Sequence, residues 1–181
     1  MTKTLLALGL AALALIGSTP ALAGHGHDHD HGHKGPRKDV VALEQSKISA
    51  AQAVDYALAK VKGQAVDVDF RHKHGQSYYK VEIMNGSEET EVFVDANNGS
   101  IIDSRPDYDS KPRRPVPQTG ISLKQAIAAA ETKTGGRAKE AELKYKRDLP
   151  VYEVGTVNGA RKYEVRVNAA DGQVLSSHLD F

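Results

Sequence analysis

The sequence contains no cysteine and no tryptophan, and its 24 Lys and Arg residues nearly balance 23 Asp and Glu residues. The absence of cysteine excludes disulfide bonds, thiolate nucleophiles and thiolate metal sites. The formal net charge of +1 supplies no basic field of the kind that attracts nucleic acid. We therefore expect neither a disulfide framework nor a nucleic-acid partner.

The apolar run at the N-terminus is too short to span a bilayer comfortably, which needs about 20 residues. It extends from Leu5 to Ile16, follows the positive charge of Lys3, and precedes the small-x-small sequence that ends at Ala23. This is the three-part pattern of a secretory signal peptide. We predict that residues 1–23 are removed after Ala23, that the protein is periplasmic or secreted, and that no membrane span remains.

Histidine alternates with glycine or aspartate at the start of the predicted mature chain. Such a composition cannot build a core, so we predict that residues 24–45 form a flexible tail. Neutral imidazole is the commonest protein ligand for zinc, copper and nickel, and carboxylates add oxygen ligands. The predicted ligands for a divalent transition metal are His25, His27, Asp28, His29, Asp30, His31 and His33.

Two further groups are candidate metal ligands. Cleavage after Ala23 would leave a free Gly24 amine beside His25, and an N-terminal amine with a position-two imidazole suits tetragonal Cu(II) or Ni(II). His72 and His74 are two positions apart at the end of a predicted strand, so their imidazoles would lie on the same face of the strand and chelate an ion. The alternative for this pair is a solvated hairpin tip with Gly75 as the turn.

The chain contains an ungapped internal repeat, whose constant offset carries Tyr79 onto Tyr152. Tyr79-Lys80-Val81, Asn85-Gly86 and Val92-Phe93-Val94-Asp95-Ala96 recur as Tyr152-Glu153-Val154, Asn158-Gly159 and Val165-Arg166-Val167-Asn168-Ala169. Alternating apolar and charged residues predict strands, and Asn-Gly is the strongest short-range hairpin signal. Each unit therefore contains an antiparallel meander.

A helix precedes the strands of each unit. Ser49 with Gln52 predicts a capping box for a helix over Ser49 to Lys62, and Gly63 ends it. Ser122 with Gln125 predicts the same start for a second helix, which Gly135-Gly136 end. We expect the first strand of the first unit over Ala65 to Lys73. Four prolines and several basic residues between positions 106 and 118 predict a semi-extended linker over residues 109–118.

This pattern resembles the PepSY domain. The motif residues run from Ile121-Ser122-Leu123-Lys124-Gln125-Ala126-Ile127 through Val151-Tyr152-Glu153-Val154 to the segment from Tyr163 to Leu175, and the first unit matches with Asn97-Asn98-Gly99 in its last turn. The resemblance covers residues 46–108 and 119–181. It implies an α+β fold of two tandem repeats, each with one helix packed on an antiparallel sheet of three to four strands.

The resemblance also implies an exported, non-enzymatic protein, because the family occurs in propeptides of metallopeptidases and in spore-germination proteins, and its motif residues are structural. We expect no catalytic residue and no organic cofactor. Two functions remain open. The first is binding of Zn, Cu or Ni by the histidine-rich tail, as a buffer, a chaperone or a sensor accessory. The second is a protein-binding module that inhibits or regulates a secreted peptidase or another envelope partner.

Overall fold

The computed structural model describes residues 38–108 and 114–180. These residues form helices and antiparallel strands, as the repeat predicts. The helices are Lys38–Gln45 (α1), Ala50–Lys60 (α2) and Leu123–Thr134 (α3). The strands are Gln64–Lys73 (β1), Gln76–Asn85 (β2), Glu88–Asp95 (β3), Ile101–Pro106 (β4), Arg137–Lys146 (β5), Leu149–Asn158 (β6), Arg161–Asn168 (β7) and Val174–Asp180 (β8).

Both predicted capping boxes are present. Ser49 Oγ accepts from Gln52 N at 3.2 Å, and Ser49 N donates to Gln52 Oε1 at 2.9 Å. Ser122 and Gln125 form the same reciprocal pair at the start of α3. The helix α2 ends at Lys60, slightly before its predicted end at Lys62, because Val61 already has an extended backbone. Gly135 ends α3 in the left-handed conformation with φ of 63°.

The strands of the described residues all belong to one sheet, with the order β4-β3-β2-β1-β5-β6-β7-β8. Each repeat contributes four antiparallel strands, within the predicted three to four, but a sheet of its own in each repeat is not confirmed, because the two sets of strands form one sheet. The sheets fuse because β1 and β5 would each leave an unpaired edge if the repeats stood apart. Antiparallel pairing of β1 with β5 satisfies both edges.

A local twofold axis passes through the junction between the repeats. Val68 pairs with Ala141, which is its own counterpart in the repeat under the offset that carries Tyr79 onto Tyr152. On either side, Asp67 pairs with Glu142 and Asp69 pairs with Glu140. The axis consequently relates β1 to β5, and the elements α2 and β1–β4 of the first repeat to α3 and β5–β8 of the second.

The helices cover one face of this sheet and build a single hydrophobic core with it. The inward residues of the central strands alternate with charged residues that point to the opposite face. Val68, Tyr79, Val81, Val154 and Val165 are fully or almost fully buried in this core. Joining the two repeats in this way lets two units of roughly 60 residues, each marginal alone, share one core.

A tyrosine hydroxyl fixes the entry of each main helix against the sheet. Tyr79 Oη donates to the carbonyl oxygen of Ile48 at 3.0 Å, and Ile48 N donates to Ala96 O at 2.9 Å. The second repeat makes the same two hydrogen bonds at the equivalent positions, from Tyr152 Oη to Ile121 O at 3.1 Å and from Ile121 N to Ala169 O at 2.8 Å. The recurring Tyr-x-Val of the sequence is thus a structural element of the fold.

The end of the predicted flexible tail is helical. Residues 38–45 form α1, in which Val40, Ala42 and Leu43 are buried. The predicted tail over residues 24–45 therefore ends too late. The prediction of one helix per repeat is not confirmed either, because α1 packs against β1 and gives the first repeat a second helix. The helix forms because Val40, Ala42 and Leu43 pack on one end of the core, a tertiary contact that so short a segment does not reveal by itself.

The described end of the linker contacts the second repeat. Arg114 Nη1 lies 2.5 Å from Asp148 Oδ1, and its guanidinium stacks 5.2 Å from the centre of the Tyr145 ring. Tyr145 Oη donates to Pro115 O at 2.6 Å. Residues 114–118 therefore follow a defined path to α3 without regular secondary structure.

Tyr79→Phe should lower the free energy of unfolding by about 1 kcal/mol, because it removes one buried hydrogen bond without changing the packing volume. Tyr78→Phe is the matched control, since Tyr78 lies next to it but points to the other face of the sheet and is only half-buried. Urea denaturation of both variants measures the difference. Equal stabilities of the two variants would contradict the proposed role of the hydroxyl.

Candidate functional site

The helix-free face of the sheet carries a row of mostly charged side chains across its strands. The register aligns one residue from each strand in this row. We call it the carboxylate row, and in sheet order it consists of Arg105, Glu91, Glu82, Asp67, Glu142, Glu153, Arg166 and Ser176. Five consecutive members, from Glu91 to Glu153, are acidic, although like charges directly opposite one another are unfavourable in a sheet.

Cationic side chains balance the second-repeat end of the carboxylate row. Glu153 accepts from Lys144 at 2.9 Å, from Lys146 at 3.1 Å and from Arg166 at 3.0 Å. Burial alone would raise the pKa of Glu153, but the hydrogen bonds from Lys144 and Lys146 outweigh it and lower the pKa to about 2. Glu153 is therefore ionised at any physiological pH.

The first-repeat end is balanced by two other cations. Lys80 Nζ bonds both Glu82 and Glu91, and Arg105 Nε lies 3.1 Å from Glu91 Oε2. Burial alone would lower the pKa of Lys80, but the hydrogen bonds to the two carboxylates raise it. Most of the row is thus a network of ion pairs on an otherwise uncovered face.

Asp67 lies at the centre of the row, beside the junction of the repeats. Glu82 on β2 and Glu142 on β5 are its two cross-strand neighbours. Burial raises the pKa of Asp67 to about 8, the nearby charges of Glu82 and Glu142 add to this effect, and Lys80 opposes it. The carboxyl group of Asp67 is therefore mostly neutral at pH 7.

A groove of about 360 Å³ lies over this part of the face, and eight acidic and three basic side chains line it. Beside it, on the first repeat, Tyr78 and Phe93 form an aromatic pair with ring centres 6.0 Å apart. Arg105 stacks on Phe93 at 4.7 Å. The second repeat has Val151 and Arg166 at the positions that correspond to the aromatic pair, so the face is acidic at its centre and aromatic on one side only.

The structure separates the predicted pair of histidines. The strand β1 ends at Lys73, and His74 lies in the turn with φ of 51°. His72 remains on the strand, where its Nδ1 is 2.9 Å from Ser77 Oγ. The shared strand face that would make them a chelating pair is therefore not formed, and this corrects the geometry on which the prediction depended.

The predicted ligands in the tail, Gly24 and residues 25–33, lie outside the described residues, as do the predicted signal peptide and its cleavage site. Within residues 38–108 and 114–180, no group of three or more His, Asp or Glu side chains is arranged to hold a metal ion. The described part of the chain also has no helix of the length and apolar character that crossing a membrane requires.

Sequence reasoning missed the carboxylate row. The alternation of each strand indicates which residues face outward, but only the register shows that Glu91, Glu82, Asp67, Glu142 and Glu153 stand in line. The acidic outward residues of the first strand of each repeat were the available signal. Their significance depends on the pairing of β1 with β5, which no local pattern predicts.

The family model described as "PepSY: Peptidase propeptide and YPEB domain" matches residues 47–105 and 120–178. The two matches cover well over half of the chain and coincide with the two structural repeats. The chain belongs to the PepSY family. The tandem PepSY organisation predicted from the repeat is thereby confirmed.

Several proteins resemble this PepSY protein. The uncharacterized protein YkoJ of Bacillus subtilis (strain 168) is 27% identical over 128 residues, which are 68% of this chain and 71% of that protein. A crystal structure of a protein provisionally assigned as a lipoprotein, from Clostridium difficile 630, has a TM-score of 0.48 at 19% identity and covers 78% of this chain and 99% of its own. The Bacillus megaterium YpeB C-terminal domain has a TM-score of 0.31 at 15% identity, with coverage of 76% and 67%.

Asp67→Asn should stabilise the protein relative to the wild type at alkaline pH, by on the order of 5 kcal/mol at about pH 9, because the folded and unfolded pKa values of Asp67 differ by about four units. In the unfolded chain the Asp67 carboxyl ionises near its ordinary pKa of 3.8, whereas in the folded protein burial raises this pKa to about 8. Between these values the folded state holds a proton that the unfolded state has lost, so the wild type loses stability as the pH rises, and the full loss is present above 8. Urea denaturation from about pH 4 to 9 measures this slope.

Asp69→Asn is the matched control, because the Asp69 carboxylate forms an ion pair with Arg71 at 2.5 Å. This variant should retain the alkaline loss of stability that Asp67→Asn removes. An unchanged pH profile in Asp67→Asn would show that Asp67 does not hold a proton in the folded state.

Proposed function

We propose that this PepSY protein is an exported, non-enzymatic protein-binding module whose helix-free sheet face binds a basic segment of a partner protein. The observation that carries the proposal is the acidic groove at the centre of that face, where eight acidic side chains outnumber three basic ones. A partner that supplies positive charge would relieve the repulsion among neighbouring carboxylates. A secreted peptidase or another envelope protein is the class of partner that the family supports.

The aromatic pair beside the groove supports the same interpretation. Tyr and Phe side chains with partial exposure are enriched at protein interfaces, where they supply apolar contact area. Tyr78 and Phe93 are both half-buried on the helix-free face, next to the ion pairs of Lys80 and Glu91. The partner segment would therefore combine basic residues over the groove with an apolar residue against this pair.

Charge reversal on the groove tests this proposal. Glu140→Lys replaces a carboxylate that lines the groove, and Glu44→Lys makes the same charge change on the exposed side of α1. The probe is a short fluorescent peptide that contains four lysines and one tryptophan. Glu140→Lys should weaken its binding about tenfold, and added salt should weaken binding to the wild type.

Glu44→Lys should bind this peptide as the wild type does, because it lies on the other side of the sheet. Equal weakening by both variants would show that the peptide responds to the net charge of the protein and not to the groove. Equally tight binding to the wild type and to both variants would contradict the proposal that the peptide binds in the groove.

A second function is favoured by the alternation of histidine in the tail. We propose that His25, His27, His29, His31 and His33, with Asp28 and Asp30, bind one divalent transition ion, and that the tail acts as a buffer, chaperone or sensor accessory. This proposal depends on the sequence alone. The folded repeats would then serve as the exported carrier of the tail.

Replacing the five tail histidines with alanine should abolish high-affinity binding of Zn²⁺, Cu²⁺ or Ni²⁺ in isothermal titration calorimetry. His72→Ala with His74→Ala is the matched control and should leave the affinity unchanged. Lowering the pH below about 6 should also abolish binding, because the imidazoles become protonated. Undiminished affinity without the tail histidines would refute tail chelation.

A further inference from the structure

A second groove lies on the helix side of the molecule, beside the start of α3. Its volume is about 260 Å³, and its lining includes Leu58 of α2, Gln64 of β1, Val116 of the linker and residues 119–122. Gln64, Gln118 and Thr119 are exposed at its rim, so a ligand can enter from solvent. We call this the linker groove.

The first repeat shows what occupies the corresponding position there. Arg137, at the start of β5, crosses to the first repeat and donates from Nη1 to Ser46 O at 2.8 Å and from Nη2 to Ile48 O. The offset of the repeat maps these two acceptors onto Thr119 and Ile121, which line the linker groove. The same offset relates Arg137 to Gln64.

Three differences between the repeats leave the linker groove open. Gln64 is shorter than its counterpart Arg137, and its Nε2 donates instead to Pro117 O at 3.4 Å. Val116 stands where the first repeat has Leu43, which is fully buried, whereas Val116 is only partly buried. Residues 114–118 are not helical, although the equivalent residues of the first repeat include the end of α1. The position beside the second repeat is therefore not filled in the way that Arg137 and Leu43 fill its counterpart beside the first repeat.

We propose that the linker groove binds an alkylguanidinium group, supplied by an arginine side chain of a partner polypeptide. The guanidinium would donate to the carbonyl groups of Thr119 and Ile121, as Arg137 does to Ser46 and Ile48. A planar guanidinium suits two neighbouring carbonyl acceptors and is weakly hydrated, which lowers the cost of entering a partly buried groove. This inference concerns a different site from the acidic groove and does not depend on the function proposed for it.

The walls of the linker groove fit the rest of an arginine side chain. The repeat offset relates Leu58 to Glu131, so the linker groove has a leucine at a position where its counterpart has a glutamate. Leu58 and Val116 together offer an apolar surface to the aliphatic stem of the arginine. Lys124 also lines the groove, but its Nζ lies 2.5 Å from Asp55 Oδ1, so its charge is already balanced. Tyr152 Oη donates to Ile121 O and holds that carbonyl in the same arrangement as Tyr79 holds Ile48.

NMR titration of the full chain with N-acetyl-arginine amide tests the assignment directly. The expected result is saturable shifts of the amide signals of residues 119–123 and of the neighbouring Gln64. N-acetyl-citrulline amide has nearly the same shape without the charge, and it should bind about tenfold more weakly. Equal binding of the two probes, or no shifts with either, would overturn the proposal.

Gln64→Arg supplies the missing side chain from within the chain. This variant should fill the linker groove as Arg137 fills its counterpart, so that the arginine probe no longer causes the shifts. Gln76→Arg is the matched control, because Gln76 is exposed at the start of β2 and does not line the groove. Retained binding in Gln64→Arg, with a folded spectrum, would contradict the proposal.

Val116→Leu provides a milder change that keeps all polar groups. It restores the side chain found at Leu43 and narrows the groove, so it should weaken probe binding by about threefold to tenfold. Unchanged binding in Val116→Leu together with loss in Gln76→Arg would place the probe elsewhere on the surface.

Discussion

The antiparallel pairing of β1 with β5 is the contact on which the rest of the molecule depends. It joins two small repeats through the residues around Val68 and Ala141 and converts two edge strands into the centre of one sheet. The helices of both repeats then lie on the same face and share one core. The opposite face becomes continuous across the junction, so the outward carboxylates of both repeats stand in a single row.

Much of each repeat follows from local sequence, and the helix starts are the clearest case. Ser49 with Gln52 and Ser122 with Gln125 form the reciprocal hydrogen bonds that the spacing predicts. The Asn-Gly turns and the alternation of apolar and charged residues around Tyr79 and Val154 predict where the strands lie. These features depend on backbone conformations and on periodicities that neighbouring residues determine, and a duplicated sequence shows each of them twice.

The junction and α1 could not be predicted in the same way. The pairs Asp67–Glu142 and Asp69–Glu140 look repulsive, and only the surrounding cations and the protonation of Asp67 make them tolerable. Helix α1 is short and gains its stability from the burial of Val40 and Leu43 on a core that forms elsewhere. Both features are consequences of tertiary packing. The carboxylate row, which requires the register across the junction, was hidden for the same reason.

The repeats differ where the structure offers binding sites. Arg137 fills a position in the first repeat that Gln64 leaves open in the second, and Phe93 stands where Arg166 completes an ion-pair network. The acidic groove and the linker groove are each lined by residues of both repeats, so both require the repeats to be joined through β1 and β5. Backbone nuclear Overhauser effects in the full chain test that pairing most directly. We predict cross-strand contacts between residues 67–69 and residues 140–142 in the antiparallel register centred on Val68 and Ala141. Absence of these contacts, or a different register between the repeats, would contradict the account.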